Sequence, residues 1–269
     1  MRSSLRALVR LLVYAGWTLA LLPAQAFAVA FGLRLAERIP QLYHRACCRI
    51  IGLNVVCRGS QSRDRPSLFV ANHSSYLDIT VLGSLIPGSF VAKAEVASWP
   101  VFGLLAKLQR TVFVERRPSH TAQDRDEISR RLEAGENLIL FPEGTSNDGN
   151  RVLPFKSAYF GAAERSIRGA PLTVQPLSIA YVRLDGVPIG REWRVYYAWY
   201  GDMVMAPHVW NVLGLGRVTV EVRFHPPVTI EELGTRKALS NHCQRVVAEG
   251  VAEALSGPVT RPKLAAAGR

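Results

Sequence analysis

Ser67-Leu68-Phe69-Val70-Ala71-Asn72-His73-Ser74-Ser75-Tyr76-Leu77-Asp78 changes character halfway along. Residues 67–71 form a short apolar run with the length and composition of a buried strand. A polar loop follows, and Ser75-x-x-Asp78 has the spacing of a capping box opening a helix over 75–85. A strand that passes through a short loop into a helix is the repeating unit of α/β folds.

The pattern recurs outward from that stretch. Further strands are expected at 90–94, 111–115, 137–141 and 172–182, with helices at 98–108, 121–134 and 155–167 between them. Gly135 and Gly169 are placed to end the last two helices. Segments 194–199 and 218–224 read as two more strands, and 237–255 as a closing helix. The expected class is α/β, a mixed and largely parallel sheet flanked by helices, preceded by an N-terminal membrane-anchoring helix or helical hairpin. The expected division is an anchoring segment over 1–58 and one catalytic domain over 59–269.

The anchor is read from charge and hydropathy together. The 269 residues carry 33 Lys and Arg against 21 Asp and Glu, a formal charge of +12. Eight Arg against the single Glu37 place +7 of that surplus in the first 60 residues. They surround an uncharged run over 11–33, whose 23 residues are long enough to cross ~30 Å of hydrocarbon. Basic residues around an apolar run suit anionic lipid, and no zinc-finger, RNA-binding or basic-aromatic pattern points to nucleic acid.

Three arrangements fit the run. It can be a transmembrane span, a signal peptide cleaved after Ala24-Gln25-Ala26, or a hairpin bent at Pro23 and continued by an amphipathic stretch over 34–51. Arg residues at both ends give a single span no clear orientation, and a hairpin with both ends on one face removes that conflict. The four Cys match no metal-ligand pattern, and adjacent Cys47 and Cys48 suit a reduced protein in which all four are small core residues. The scattered His residues suggest no metal site either.

Chemistry is concentrated where strands end. His73 and Asp78 would diverge by ~140° on one continuous helix. With His73 in the loop and Asp78 in the first helical turn, the carboxylate can fix the imidazole tautomer and leave the other nitrogen to act as a base. Locally, the same Asp78 also reads as a helix cap and His73 as a loop histidine. A second strand end carries Phe141-Pro142-Glu143-Gly144-Thr145.

Taken in order, four segments resemble the motifs of the glycerolipid and lysophospholipid acyltransferases: 72–78, Thr111-Val112-Phe113-Val114-Glu115-Arg116, 141–145, and Val174-Gln175-Pro176-Leu177-Ser178-Ile179. The resemblance covers residues 50–230 and extends to the apolar N-terminal helices. It implies an O-acyltransferase of membrane lipid biosynthesis at the cytoplasmic face of the inner membrane. The donor would be acyl-acyl-carrier protein or acyl-CoA and the acceptor a lysolipid hydroxyl, with no cofactor and with the carrier protein as a partner. His73, oriented by Asp78, would be the general base of a direct transfer, and backbone N–H groups or a cation would hold the oxyanion. Arg116, Glu143, Gly144 and Thr145 would line the acceptor head-group site, with Glu143 alternatively bracing a turn. Lys93 and Lys156 are further candidate contacts.

The chain departs from the resemblance at Ser146, where relatives acting on lysophosphatidic acid carry Arg. Losing a guanidinium removes a strong charge-assisted contact to a phosphate. The acceptor implied is one without a terminal phosphate, such as lyso-ornithine lipid, unless Arg151 or Lys156 supplies the charge. No Gly-x-Ser-x-Gly elbow supports a serine hydrolase. A non-catalytic membrane-surface scaffold would make no use of four ordered motifs.

Overall fold

The computed structural model describes residues 2–115 and 121–256. The strand at the opening stretch is β2 (Ser67–Ala71), buried along its whole length, and it leads into α3 (Leu77–Leu85). Alternate residues of β2 face two different cores: Phe69 and Ala71 one, Leu68 and Val70 the other. That period-two alternation with both faces covered explains why the strand reads as a continuous apolar run.

Around β2 the sheet contains β1 (Leu53–Arg58), β3 (Ser89–Lys93), β4 (Val112–Val114), β5 (Leu138–Leu140), β8 (Thr173–Leu184) and β10 (Val218–Phe224). Their order is β1-β10-β8-β2-β5-β3-β4, with β9 (Val187–Pro188) added to β8, and a separate small pair joins β6 (Ser166–Ile167) to β7 (Ala170–Pro171). All neighbours along the main path are parallel except β10 and β8. The mixed, largely parallel sheet is the one expected. Its first strand is drawn from the segment expected to anchor the protein.

Helices cover both faces. Ile128 and Leu132 of α5 (Thr121–Glu133) pack on one side with Leu239, Cys243 and Val247 of α8 (Arg236–Ser256). A short α7 (Ile230–Leu233) precedes α8. Residues of α2 (Leu35–Ile51), α3 and α6 (Met205–Gly214) pack on the other face, while α4 (Phe102–Leu108) follows β3 after a 3₁₀ turn over Ala94–Ser98. Cys47, Cys48 and Cys243 are buried free thiols, but Cys57 is exposed on the edge strand β1, so the core reading fails there.

Two expected elements differ. Segment 194–199 is no strand and pairs with none of the sheet's strands. Instead Arg191–Tyr196 forms a 3₁₀ turn, and Tyr197 stacks on Tyr181 with ring centroids 5.7 Å apart. The helix expected at 155–167 is also reduced to a 3₁₀ segment, Ser157–Glu164, which buries Phe160.

The N-terminal run forms α1 (Ser4–Ala30), which continues through Pro23. The reversal comes later, at 31–34, where Gly32 adopts φ +61°. The bend expected at Pro23 is therefore corrected, and the result is an antiparallel pair of helices. Thr18 Oγ1 lies 3.0 Å from the Tyr43 hydroxyl, and Ala28 packs with Ala36 and Ile39. Arg10 Nη1 ties α1 to the domain by donating to the carbonyls of Leu213 (3.1 Å) and Leu215 (2.8 Å) at the end of α6. Those terminal carbonyls lack helical partners, so a cation is favoured there. Leu5, Leu8, Leu12, Leu19 and Phe27 remain exposed on α1, a helix long and apolar enough to cross a membrane by length and composition.

Candidate active site

Strands β2 and β5 are neighbours with Val70 paired to Leu140, so the loops leaving their C-terminal ends emerge side by side. This is the place where open α/β sheets bind ligands. One loop carries His73 and the other Glu143. The next strand on the opposite side of β2 is β8, with Ala71 paired to Leu177. Three of the quoted motifs therefore converge although the first, at 72–78, and the last, at 174–179, are far apart in the chain.

His73 Nδ1 lies 2.9 Å from Asp78 Oδ2. The same oxygen accepts the backbone N–H groups of Ser74 (2.7 Å) and Ser75 (2.9 Å), and Asp78 Oδ1 accepts the Tyr181 hydroxyl at 2.8 Å. Asp78 thus serves as cap and as orienting group at once. A carboxylate has lone pairs enough for both sets of contacts. Asp78 is fully buried, whereas the His73 side chain keeps 20% of its surface. With Nδ1 donating to Asp78, Nε2 is the acceptor nitrogen and has no hydrogen-bond partner among the described residues.

The imidazole is also held by its flanks. It stacks on Phe141, with centroids 4.1 Å apart and planes at 17°, and Phe141 stacks in turn against Phe90. The His73 backbone N–H donates to Glu143 Oε1 at 2.8 Å, while its carbonyl accepts from Asn147 N at 3.2 Å. Glu143 Oε2 accepts Asn147 Nδ2 (2.7 Å) and Leu153 N (3.0 Å). At 2% exposure, the Glu143 carboxylate faces protein donors and knits the third motif to the His73 loop. Burial pushes its pKa up to about 7, against the opposing pull of the three N–H donors.

The other candidates are distributed unevenly. Gly144 adopts φ +74°, and a side chain there would meet Lys156 Nζ and the Tyr159 hydroxyl at 3.1 Å, so Lys156 stands over the third motif. Thr145 is exposed, and Ser146 Oγ donates to the Trp199 carbonyl at 2.6 Å. That contact fastens the 191–204 segment to the site, since Trp199 N also donates to the Ser74 carbonyl. Lys93, at the end of β3, is paired with Glu95 at 2.6 Å. Arg116 lies outside the described residues. Among the described residues no group of His, Cys, Asp and Glu could hold a metal ion.

Sequence reasoning missed Tyr181 and Phe141 as parts of this site. Tyr181 left one signal: a phenol in the apolar run 179–182, whose hydroxyl needs a partner once buried. Nothing in the sequence marks Phe141 as a stacking platform. Beyond the loops, Tyr76 and Leu77 of the first motif line a cavity of about 320 Å³ that runs between the sheet-side helices and α1.

Known proteins resemble this chain in sequence and in fold. Residues 53–180 match the family model described as Acyltransferase. The chain is 43% identical over 244 residues to a lyso-ornithine lipid O-acyltransferase from Brucella abortus, covering 89% of this chain and 91% of that one. It is 30% identical over 209 residues to a 1-acyl-sn-glycerol-3-phosphate acyltransferase from Neisseria gonorrhoeae, covering 76% of each. The crystal structure of the 1-acyl-sn-glycerophosphate acyltransferase PlsC from Thermotoga maritima has the same fold, with TM-score 0.65 over 95% of this chain at 22% identity. With a relative this similar over nine-tenths of its length, the chain belongs to the acyltransferase family and is an enzyme of that class.

Proposed function

We propose that this acyltransferase moves a fatty acyl group from a thioester carrier, acyl-acyl-carrier protein or acyl-CoA, to the free hydroxyl of a lysolipid. The observation that carries the reading is the His73–Asp78 pair with its unpartnered, partly exposed Nε2. In this scheme Nε2 takes the proton of the acceptor hydroxyl while the oxygen attacks the thioester carbonyl. The imidazolium that forms is stabilised by Asp78 and returns its proton to the sulfur as the C–S bond breaks, so the carrier leaves as its thiol. No acyl-enzyme is needed, because neither Ser74 nor Ser75 is hydrogen-bonded to His73. Backbone N–H groups or a cation at the site would hold the oxyanion.

The acceptor favoured is lyso-ornithine lipid, by the names of relatives at 43% and 41% identity and by Ser146, whose hydroxyl is spent on Trp199. Lys156 above Gly144 supports lysophosphatidic acid as the second reading, since an ammonium there could meet a phosphate. Arg116, Thr145 and Lys156 are the proposed head-group contacts, and Glu143 the brace of the loop that positions His73. Catalysis is placed on the cytoplasmic face of the inner membrane, reached through the apolar face of α1.

The test supplies membranes containing the protein with labelled acyl-acyl-carrier protein and either lysolipid, with His73→Ala as control. Label in ornithine lipid alone supports the first acceptor, and label in phosphatidic acid the second. Transfer to neither, or transfer surviving in the control, overturns the reading.

A further inference from the structure

Acyl transfer onto a lysolipid brings two fatty chains to one site, and the molecule has two apolar spaces beside it. The first is the cavity that Tyr76 and Leu77 line. The second is a groove of about 560 Å³ between α1, the turn before α4 and α6, lined by Trp99, Trp199, Ala206 and Trp210 among others. Among the described residues none that lines the groove is charged. Leu11, Trp99, Phe102, Met205, Val209 and Leu213 line both spaces, so the two lie side by side.

One part of the groove is built on the active-site loops. Trp199 N donates to the Ser74 carbonyl at 2.8 Å, and the Trp199 carbonyl accepts Ser146 Oγ at 2.6 Å. The Trp199 ring meets Tyr76 edge-on at 6.1 Å and Trp99 at 6.0 Å. Trp99 is itself held, because Gly103 N donates to its carbonyl at 2.9 Å. Another part opens on the surface. Phe102, Ala206 and Trp210 are exposed, as are Val101 and Val204 next to lining residues. Leu8, one helical turn from Leu11 on α1, is exposed as well. Exposed apolar side chains with Trp among them are what a protein presents to the edge of a bilayer.

The two chains differ in where they come from. A chain delivered by a soluble carrier leaves water and gains most from enclosure, which the cavity gives it with buried Ile39, Ile51 and Leu77 in its wall. The acceptor is a membrane lipid, and its chain arrives from the side on which α1 is apolar and exposed. We infer that the groove of Trp99, Trp199 and Trp210 binds the fatty chain already present on the lysolipid acceptor, while the cavity takes the chain being transferred. Ser146 then acts as a positioning residue, since its bond to Trp199 ties the third motif to the groove. The inference rests on the acyl-transfer reading above.

The test gives full-length enzyme in phosphatidylglycerol vesicles a lysolipid acceptor with a sixteen-carbon or an eight-carbon chain, and hexadecanoyl or octanoyl thioester as donor. Ala206→Phe fills the groove from an exposed position, and Trp210→Ala strips part of its wall. Each is expected to raise KM for the longer acceptor about tenfold, equal to roughly two buried methylenes lost, and equally with both donors. The effect should shrink with the shorter acceptor. A penalty that follows the donor's chain length would give the groove to the transferred chain and overturn the inference. No penalty, or one equal for both acceptors, would overturn it too and leave the groove to bulk bilayer lipid. Absence of transfer by wild type from any donor to any acceptor would instead remove the acyl-transfer reading, and this site with it.

Discussion

Tyr181 donates its hydroxyl to Asp78 Oδ1 across 2.8 Å, joining a residue of the central antiparallel strand to the carboxylate that orients His73. Asp78 therefore spends one oxygen on Tyr181 and the other on His73, Ser74 N and Ser75 N. A buried carboxylate surrounded by four donors is rigid, and its rigidity passes to the imidazole.

Removing the phenol should expose that dependence. Tyr181→Phe leaves a buried carboxylate oxygen short of one donor, which costs ~1–3 kcal/mol of stability. Acyl transfer is expected to fall about tenfold, mainly in kcat, with a displaced pH–rate profile. An unchanged profile together with a lower melting temperature would reduce Tyr181 to a packing role.

The dyad itself makes the sharper prediction. His73→Ala should lower kcat by ~10²–10⁴ with a much smaller effect on melting, because Asp78 Oδ2 keeps its two backbone donors. Asp78→Asn should cost a similar factor and some stability, because an amide cannot accept all four hydrogen bonds. Circular dichroism melts beside single-turnover transfer rates separate the two effects.

Glu143 should leave a signature in the pH dependence of stability. Its pKa is raised by burial to about 7, so the folded state holds the proton more tightly than the unfolded chain. Its contribution is present in full below the ordinary carboxylate range and is lost as pH rises through about 7. Between pH 5 and 8 wild type should lose up to ~3 kcal/mol relative to Glu143→Gln in denaturant unfolding. Parallel curves for the two proteins would contradict the assignment.

Arg10 should control how α1 is held. Arg10→Ala removes two charge-assisted bonds to the end of α6 and should cost ~1.5–3 kcal/mol of docking free energy. Limited proteolysis is expected to cleave the 31–34 turn faster in the variant. Equal cleavage rates would mean that packing alone retains the helix.

The apolar face of α1 should carry lipid attachment. Leu8→Glu with Leu12→Glu places two charges on exposed positions of that face, at ~2.5–3.5 kcal/mol each if they must enter hydrocarbon. The double variant should move from the vesicle pellet to the supernatant on sedimentation. Retention in the pellet would place attachment elsewhere.

The local elements of this protein are legible along the chain. Apolar runs such as 67–71 and 137–141 read as buried strands, and both fall on strands of the sheet. The charge-free 11–33 run likewise announces a long apolar helix. These signals are legible because propensity, periodicity and hydropathy act over a few neighbouring residues.

Which of these elements meet is set by long-range pairing. The pairing of β2 with β5 and β8 set Phe141 and Glu143 against His73 and aimed Tyr181 at Asp78. Residues 194–199, an expected strand, lie off the sheet, where a 3₁₀ turn brings Tyr197 against Tyr181. The turn of the helical pair fell at 31–34 and not at Pro23, because a helix packed on α2 and α6 tolerates one missing N–H. Strand order and docking partners are fixed by contacts among residues far apart in the chain, and no local pattern encodes them.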